Sequence, residues 1–316
     1  MSRTLVTGAS GYVAGALLPL LEARGDTLLL AGRKPFKTPH PTLIGCPSEG
    51  AFWEKALAAG VTRVFHLAAQ NSLYQAEQDP DADWRANVLP IVHLIRAAES
   101  AGRVVDVIYT GTATVVGLTD DLPVSETHPC RPVTVYDRDK LAAERHLAAA
   151  AEDGQLRATT LRLANVYGPG RGVVSPDRGI LGKLARAALD GQTLKVFGGG
   201  DYLRDYVYID DVASALLVVA ENMDRCSGRA FFLASGQGHT LLEAFTRVAK
   251  AATTRTGKRV PVEPAPWPEG LSVIERRNFV ADISALTAAT GWEPTVDLAT
   301  GIERTFDALM GQEAMI

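Results

Sequence analysis

Residues 2–25, SRTLVTGASGYVAGALLPLLEARG, decide the fold. Leu5 and Val6 end a short apolar strand, and Thr7 to Gly11 form a tight turn. Tyr12 to Ala23 read as a helix with Val13, Leu17, Leu20 and Leu21 on its apolar side. Gly8, Gly11 and Ala14 give the spacing G-x-x-G-x-x-A, with Gly15 beside it. Bare backbone there lets phosphates approach the helix N-terminus, where free N–H groups and the helix dipole favour anions. Strand, glycine turn and helix in this order are the opening of a dinucleotide-binding unit. Pro19 lies inside the helix pattern and is expected to kink it or remove a hydrogen bond.

A second strand, Asp26 to Ala31, ends in Gly32, Arg33 and Lys34. An NAD-specific site presents a carboxylate to the ribose 2′-hydroxyl at this place. Here there is no acid and there are two cations, which suit the 2′-phosphate of NADP. A solvated basic loop is the alternative. NADP(H) is therefore the expected cofactor, with NAD possible.

Further along, strands are expected at Arg63 to Leu67, Val104 to Thr110 and Thr159 to Leu163, alternating with helices at Asp83 to Ala101 and Asp137 to Ala151. This alternation predicts an α/β fold, a doubly wound parallel sheet of Rossmann type with helices on both faces. After Tyr167 the texture changes: PGRGVVSPDRG and VPVEPAPWPEG bracket shorter elements, as in a smaller C-terminal substrate lobe. The expected division is a dinucleotide-binding domain at 1–166, with returning segments around 205–234, and a substrate lobe at 167–316.

The chain has 316 residues, is 47% apolar and carries a net charge of −4, which argues against nucleic acid or anionic membranes as partners. No run of about 18 apolar residues and no leader pattern is present, so a cytoplasmic location is expected. Cys46, Cys130 and Cys226 are too few and too scattered for a disulfide framework or a zinc knuckle. The 6 His form no ligand cluster, so no metal is expected. His66, beside Val64, Phe65 and Leu67, reads as a buried strand end.

Tyr136 and Lys140 stand four positions apart in YDRDKLAAERHLAAAA, a stretch of helical composition. Residues at i and i+4 share one helix face, so phenol and ammonium can point into one cleft. Bringing a phenol from a pKa of ~10 towards ~7 takes about 4 kcal/mol. One ammonium at ~4 Å supplies roughly that much at an effective dielectric of ~20. The plainer alternative is a surface Tyr beside a Lys that pairs with Asp137.

These features together resemble the extended short-chain dehydrogenase/reductase family, in its branch of nucleotide-sugar epimerases, dehydratases and reductases. The resemblance spans nearly the whole chain: TGASGYVAG, VFHLAAQ (64–70), Asp79-Pro80, Asn87-Val88, YTGTATVVG (109–117), YDRDK (136–140), LRLANVYGPG (161–170), VFGGGDYLRDYVYIDDV (196–212) and ADISALTAATGWEP (281–294). It implies a catalytic triad of Thr112, Tyr136 and Lys140. It also implies cofactor contacts from Gly8, Ser10, Gly11, Tyr12, Val13, Arg33, Lys34, Leu67, Ala68, Ala69 and Asn87, besides Tyr136 and Lys140. Substrate contacts are implied for Gln70, Thr112, Asn165, Arg204 and Arg277, the two arginines on a diphosphate, a task that suits a bidentate guanidinium. For Arg204 a salt bridge to Asp205 is the alternative. A homodimer built on the Tyr-bearing helix is implied as well, and the Ala-rich stretch 142–151 permits close packing there.

Some positions depart from the family pattern. Ala113 and Thr114 stand where relatives that eliminate water or carbon dioxide carry an acid, so those reactions lose their proton handler. Val116 replaces a Tyr, Gly179 an Asn that binds the diphosphate, and Cys46 an acid near the adenine. The expected function is NADPH-dependent reduction of the keto group of a nucleotide-linked deoxysugar, with Tyr136 giving the proton, Lys140 depressing its pKa and Thr112 holding the carbonyl oxygen. The alternatives are a 4-epimerase keeping NAD(P)+ bound, which needs the same three residues, a reductase of a non-sugar carbonyl, and a non-catalytic NADP-binding scaffold.

Overall fold

A computed structural model describes residues 3–170 and 179–313, and residues 171–178 of the PGRGVVSPDRG loop lie outside that description. The strands are β1 Arg3–Thr7, β2 Thr27–Gly32, β3 Thr42–Ile44, β4 Val61–His66, β5 Asp106–Thr112, β6 Arg157–Leu163, β7 Asn165–Tyr167, β8 Leu194–Phe197, β9 Leu203–Tyr208, β10 Ala230–Leu233, β11 Gly238–Thr240 and β12 Val262–Ala265. The helices are α1 Tyr12–Ala23, α2 Gly50–Ala58, α3 Leu73–Gln78, α4 Pro80–Asn87, α5 Leu89–Ser100, α6 Val135–Glu152, α7 Gly179–Leu189, α8 Ile209–Glu221, α9 Met223–Cys226, α10 Leu241–Thr256, α11 Ser284–Thr290 and α12 Leu298–Glu313.

One seven-stranded sheet runs in the order β10-β6-β5-β4-β1-β2-β3, and every pairing in it is parallel. Strand alternation sends Val6, Phe65 and Ile108 to one face, where they meet Leu17 and Leu21 of α1 and Val212 and Leu216 of α8. Leu5, Val64 and Val107 go to the other, against Trp53 of α2, Ile91 of α5 and Leu147 of α6. This is the doubly wound α/β architecture. The chain leaves β1 on one side for β2 and returns on the other through β4, so a crevice opens between Thr7 and His66 at the carboxyl edge of the sheet. The second lobe holds two small sheets, β11-β9-β7 and β12-β8, packed by α7, α10 and α12.

The single helix expected from Asp83 to Ala101 is two. α4 and α5 meet at Val88 because Pro90 has no N–H to donate and its ring crowds the carbonyl four residues back. The Asp79 side chain caps α4 by accepting from Ala82 N at 2.9 Å. α6 starts two residues earlier than expected: Thr134 accepts from Asp137 N at 3.1 Å, while the Asp137 carboxylate accepts from Thr134 N. This reciprocal cap puts Tyr136 in the first turn of α6. Helix α1 runs on through Pro19, which sits on its exposed side and leaves the Gly15 carbonyl without its helical donor.

Candidate active site

The end of β1 is built for close approach. Gly8 has φ +64°, and a β-carbon there would lie 2.9 Å from the nitrogen of Ala68. Only glycine fits. The Gly11 nitrogen donates to Gly8 O at 2.7 Å to close the turn, and α1 then begins with no side-chain cap and no acid in its first turn. Its first N–H groups are thus free to meet an anion, which fits the diphosphate of a dinucleotide. Thr7 Oγ1 accepts from Leu67 N and Ala68 N, both at 3.2 Å, and bonds His66 Nδ1 at 2.9 Å, pinning the two sides of the crevice together. His66 is buried, and burial, aided by nearby Lys140, holds its pKa down to about 3. Ala69 follows on the same segment. Tyr12 donates its hydroxyl to Gly168 O at 2.8 Å, and Val13 packs half-buried beside it. Ser10, Arg33 and Lys34 are exposed. A β-carbon on Gly32 would lie 2.9 Å from the Phe36 ring, so the ring occupies the place where an acid would start.

Thr112 ends β5 and Tyr136 stands half-buried near it on α6, with the Thr112 hydroxyl favouring the phenol's anion. Lys140 is buried on the same helix face. Its Nζ donates to Thr110 O at 2.7 Å and lies 4.1 Å over the Tyr109 ring. The three expected catalytic residues are therefore at one edge of the sheet. Burial raises the Tyr136 pKa, Asp137 and Asp83 add to the rise, and only Thr112 opposes it. The ammonium gives one of its three hydrogens to Thr110 O, and burial brings its own pKa down to about 7 against the pull of Asp83 and Glu144.

Asp137 does not pair with Lys140. Its Oδ1 accepts a very short bond from Thr114 Oγ1, and its Oδ2 accepts from Thr134 Oγ1 at 2.7 Å. Thr114 Oγ1 in turn lies 2.7 Å from Thr112 Oγ1. No motif named above marks this connection, although the T-x-x-D spacing at 134–137 is a capping pattern that points Asp137 inward. Below it, Asp83 and Asp139 form a second buried acid group. Burial first, then the hydrogen bond and charge of Asp83, push Asp139 up to about 7.

Two expected contacts serve local order. Gln70 Nε2 donates to Asp83 Oδ1 at 2.7 Å and Ser72 O at 2.9 Å, and Asn87 Nδ2 donates to Gln70 O and Asp83 Oδ1, both at 3.1 Å. In the second lobe Arg277 Nη2 donates to Asn165 Oδ1 at 3.1 Å, uniting two expected substrate residues. Arg204 is 3% exposed and donates to the carbonyls of Leu203, Glu275 and Arg277. Its fan of donors grips the 275–277 segment rather than standing free, and Asp205 is satisfied elsewhere by Ser235, Gly236 and Ala281. Burial, and then the adjacent Arg277, bring the Arg204 pKa down to about 10. Among the described residues no cluster of three metal-ligating side chains occurs, and no helix is long and apolar enough to cross a membrane.

A parallel doubly wound sheet, a glycine cradle at its switch point and a Thr/Tyr/Lys group on the same edge define an extended short-chain dehydrogenase/reductase. The chain belongs to the NAD dependent epimerase/dehydratase family, whose model matches residues 4–234. It is similar to the UDP-glucose 4-epimerase of Mycolicibacterium smegmatis, with 31% identity over 96% of this chain and 97% of that one. In fold it is similar to the UDP-glucose 4-epimerase of Thermotoga maritima bound to UDP-glucose, with a TM-score of 0.86, 25% identity and coverage of 98% and 99%. The Thermus thermophilus UDP-glucose 4-epimerase bound to NAD gives a TM-score of 0.83, 28% identity and coverage of 98% and 99%. These relatives overturn the expected net reduction of a keto sugar: they are named epimerases, and several others similar to this chain are as well. The Thr/Tyr/Lys group serves either reaction.

Proposed function

We propose that this enzyme interconverts the C4 epimers of a UDP-linked sugar while a nicotinamide dinucleotide stays bound. The carrying observation is that Thr112 at the end of β5 and Tyr136 and Lys140 on α6 come together at the carboxyl edge of the sheet, where the Gly8 cradle also lies. Gly8, Gly11 and the uncapped start of α1 would hold the dinucleotide, which when bound supplies the acceptor and later the donor of a hydride. Tyr136 and Thr112 handle the proton of the sugar hydroxyl. Arg277, held by Asn165 and with its own pKa lowered by burial, is placed to meet a diphosphate, and Arg204 fixes the segment that carries it. Two neighbouring guanidiniums repel each other, and an anion between them relieves that cost. The expected result is that UDP-glucose or UDP-glucuronate, given to the protein without added reductant, is converted to a mixture of C4 epimers. No conversion of any UDP-sugar with NAD+ and NADP+ both supplied would overturn the proposal.

For the dinucleotide itself a second reading is favoured by Gly32. The NAD form is the one named with the Thermus relative. Here Phe36 blocks the acid position and Arg33 and Lys34 are exposed, an arrangement that suits a 2′-phosphate. On this reading NADP+ binds at least about tenfold more tightly than NAD+, roughly 1.4 kcal/mol, and Arg33→Ala removes most of the difference. Equal affinities for the two in calorimetric titration of the parent protein would discard it.

A further inference from the structure

UDP-glucose and UDP-glucuronate differ at one carbon: C6 carries a hydroxyl in the first and is a carboxylate in the second. C6 hangs on C5, the ring neighbour of C4, so whatever it carries lies beside the oxygen that Tyr136 and Thr112 handle. The 113–116 turn follows β5 at that edge. Ala113, Val115 and Val116 are buried there, and Thr114 is the half-exposed member. Thr114 Oγ1 is 2.7 Å from Thr112 Oγ1 and donates its one hydrogen to Asp137 Oδ1. A carboxylate therefore stands one hydroxyl behind Thr112, and the hydroxyl in front of it has only lone pairs left to offer.

Resting on the epimerase reading, we infer that Asp137 is a specificity-determining residue, which with Thr114 selects UDP-sugars whose C6 group is neutral, such as UDP-glucose, over uronates. Two features of one arrangement act together. A hydroxymethyl group can donate to the Thr114 oxygen, whereas the C6 carboxylate of a uronate has no hydrogen to give and Thr114 has none left for it. The uronate also brings a second negative charge towards a carboxylate that is 2% exposed, where salt and water screen little. Like charges set together in this way reject one partner without any contact to the other.

The Asp137 carboxylate is fixed from several sides. Thr134 Oγ1 donates to its Oδ2 at 2.7 Å, and Thr134 N donates to the same oxygen at 3.4 Å. Burial raises the Asp137 pKa, while the bonds from Thr114 and Thr134 and the charge of Arg277 work against that rise. Arg277 faces Asp137 from the 273–277 segment, and its own hydrogen bonds go to Ile274 O and Asn165 Oδ1. On the epimerase reading it also meets the diphosphate, so its charge is shared by two anions before a uronate arrives.

With NAD+ and NADP+ both supplied, the parent is expected to convert UDP-glucose with a kcat/KM at least about tenfold above that for UDP-glucuronate. The C6 amide of UDP-glucuronate, similar in shape, uncharged and able to donate, should fall within about threefold of UDP-glucose. Asp137→Asn keeps an oxygen for Thr114 and a polar cap for α6, and should narrow the preference at least about fivefold. A parent that takes UDP-glucuronate as well as UDP-glucose overturns the inference. So does equal rejection of the acid and its amide, which would mean exclusion by size, and so does an unchanged preference in a folded Asp137→Asn protein. Calorimetric titration of the same three ligands, with dinucleotide present, separates this inference from the reaction. Tighter binding of UDP-glucose and of the amide than of UDP-glucuronate, in a protein that forms no C4 epimers, keeps the charge filter and refutes the epimerase. Equal epimerisation of both natural sugars keeps the epimerase and refutes the filter.

Discussion

Tyr136→Phe is expected to lower turnover by about 10²- to 10⁴-fold, the range for loss of a positioned proton-transfer group. The phenol stands with Thr112 and Lys140 at the carboxyl edge of the sheet, so its removal takes away the immediate proton partner of the reacting hydroxyl. Folding and cofactor binding should survive, because the ring remains and Thr112 keeps its bond to Thr114. Steady-state kinetics, with dinucleotide affinity measured in parallel, decide the matter. Turnover within about threefold of the parent would mean that the proton is handled elsewhere.

The largest loss of stability is expected from Glu144→Ala. Arg162, 5% exposed, donates to Glu144 Oε2 at 3.0 Å and Oε1 at 2.6 Å, a bidentate pair beneath α6. Near it lie the Cys130 sulfur at 3.3 Å and the Phe232 ring at 5.5 Å, with Glu126 as the next carboxylate. Removing the Glu144 carboxylate leaves a buried cation without its bidentate partner, a situation that costs about 3–5 kcal/mol. The double replacement Glu144→Leu with Arg162→Met should recover much of it, since an apolar pair of similar volume carries no charge to desolvate. Urea denaturation reads both. A Glu144→Ala loss under about 1 kcal/mol would show that water reaches Arg162.

Much of this molecule is legible in its sequence because some signals are local. Helix α1 begins and ends where the glycine turn and Gly25 place it, and the i, i+4 spacing of Tyr136 and Lys140 did bring them to one face. What was not legible depends on where a long side chain turns after packing. Arg204 looked like a free phosphate ligand, yet the carbonyl of Leu203 beside it and those of the distant Glu275 and Arg277 hold it. Lys140 also meets the Thr110 carbonyl, a backbone partner that its spacing from Tyr136 does not reveal. The helix break at Val88 could have been read from Pro90, which forbids an unbroken 83–101 helix. Reduction and epimerisation use the same three side chains and differ in whether the hydride is returned, a difference that no short motif spells out.

The last strand of the main sheet comes late. β6 takes its outer neighbour, β10, only after β7, β8 and β9 have been laid into the other lobe, with Ala230 to Leu233 set against Thr160 to Leu163. As the chain leaves the ribosome, the row of N–H and C=O groups along β6 stays open while the second lobe is already being made. The thread passes out of one lobe, through the other and back, so no single cut divides the molecule into its two lobes. The two halves of the crevice are inherited, expressed and lost together.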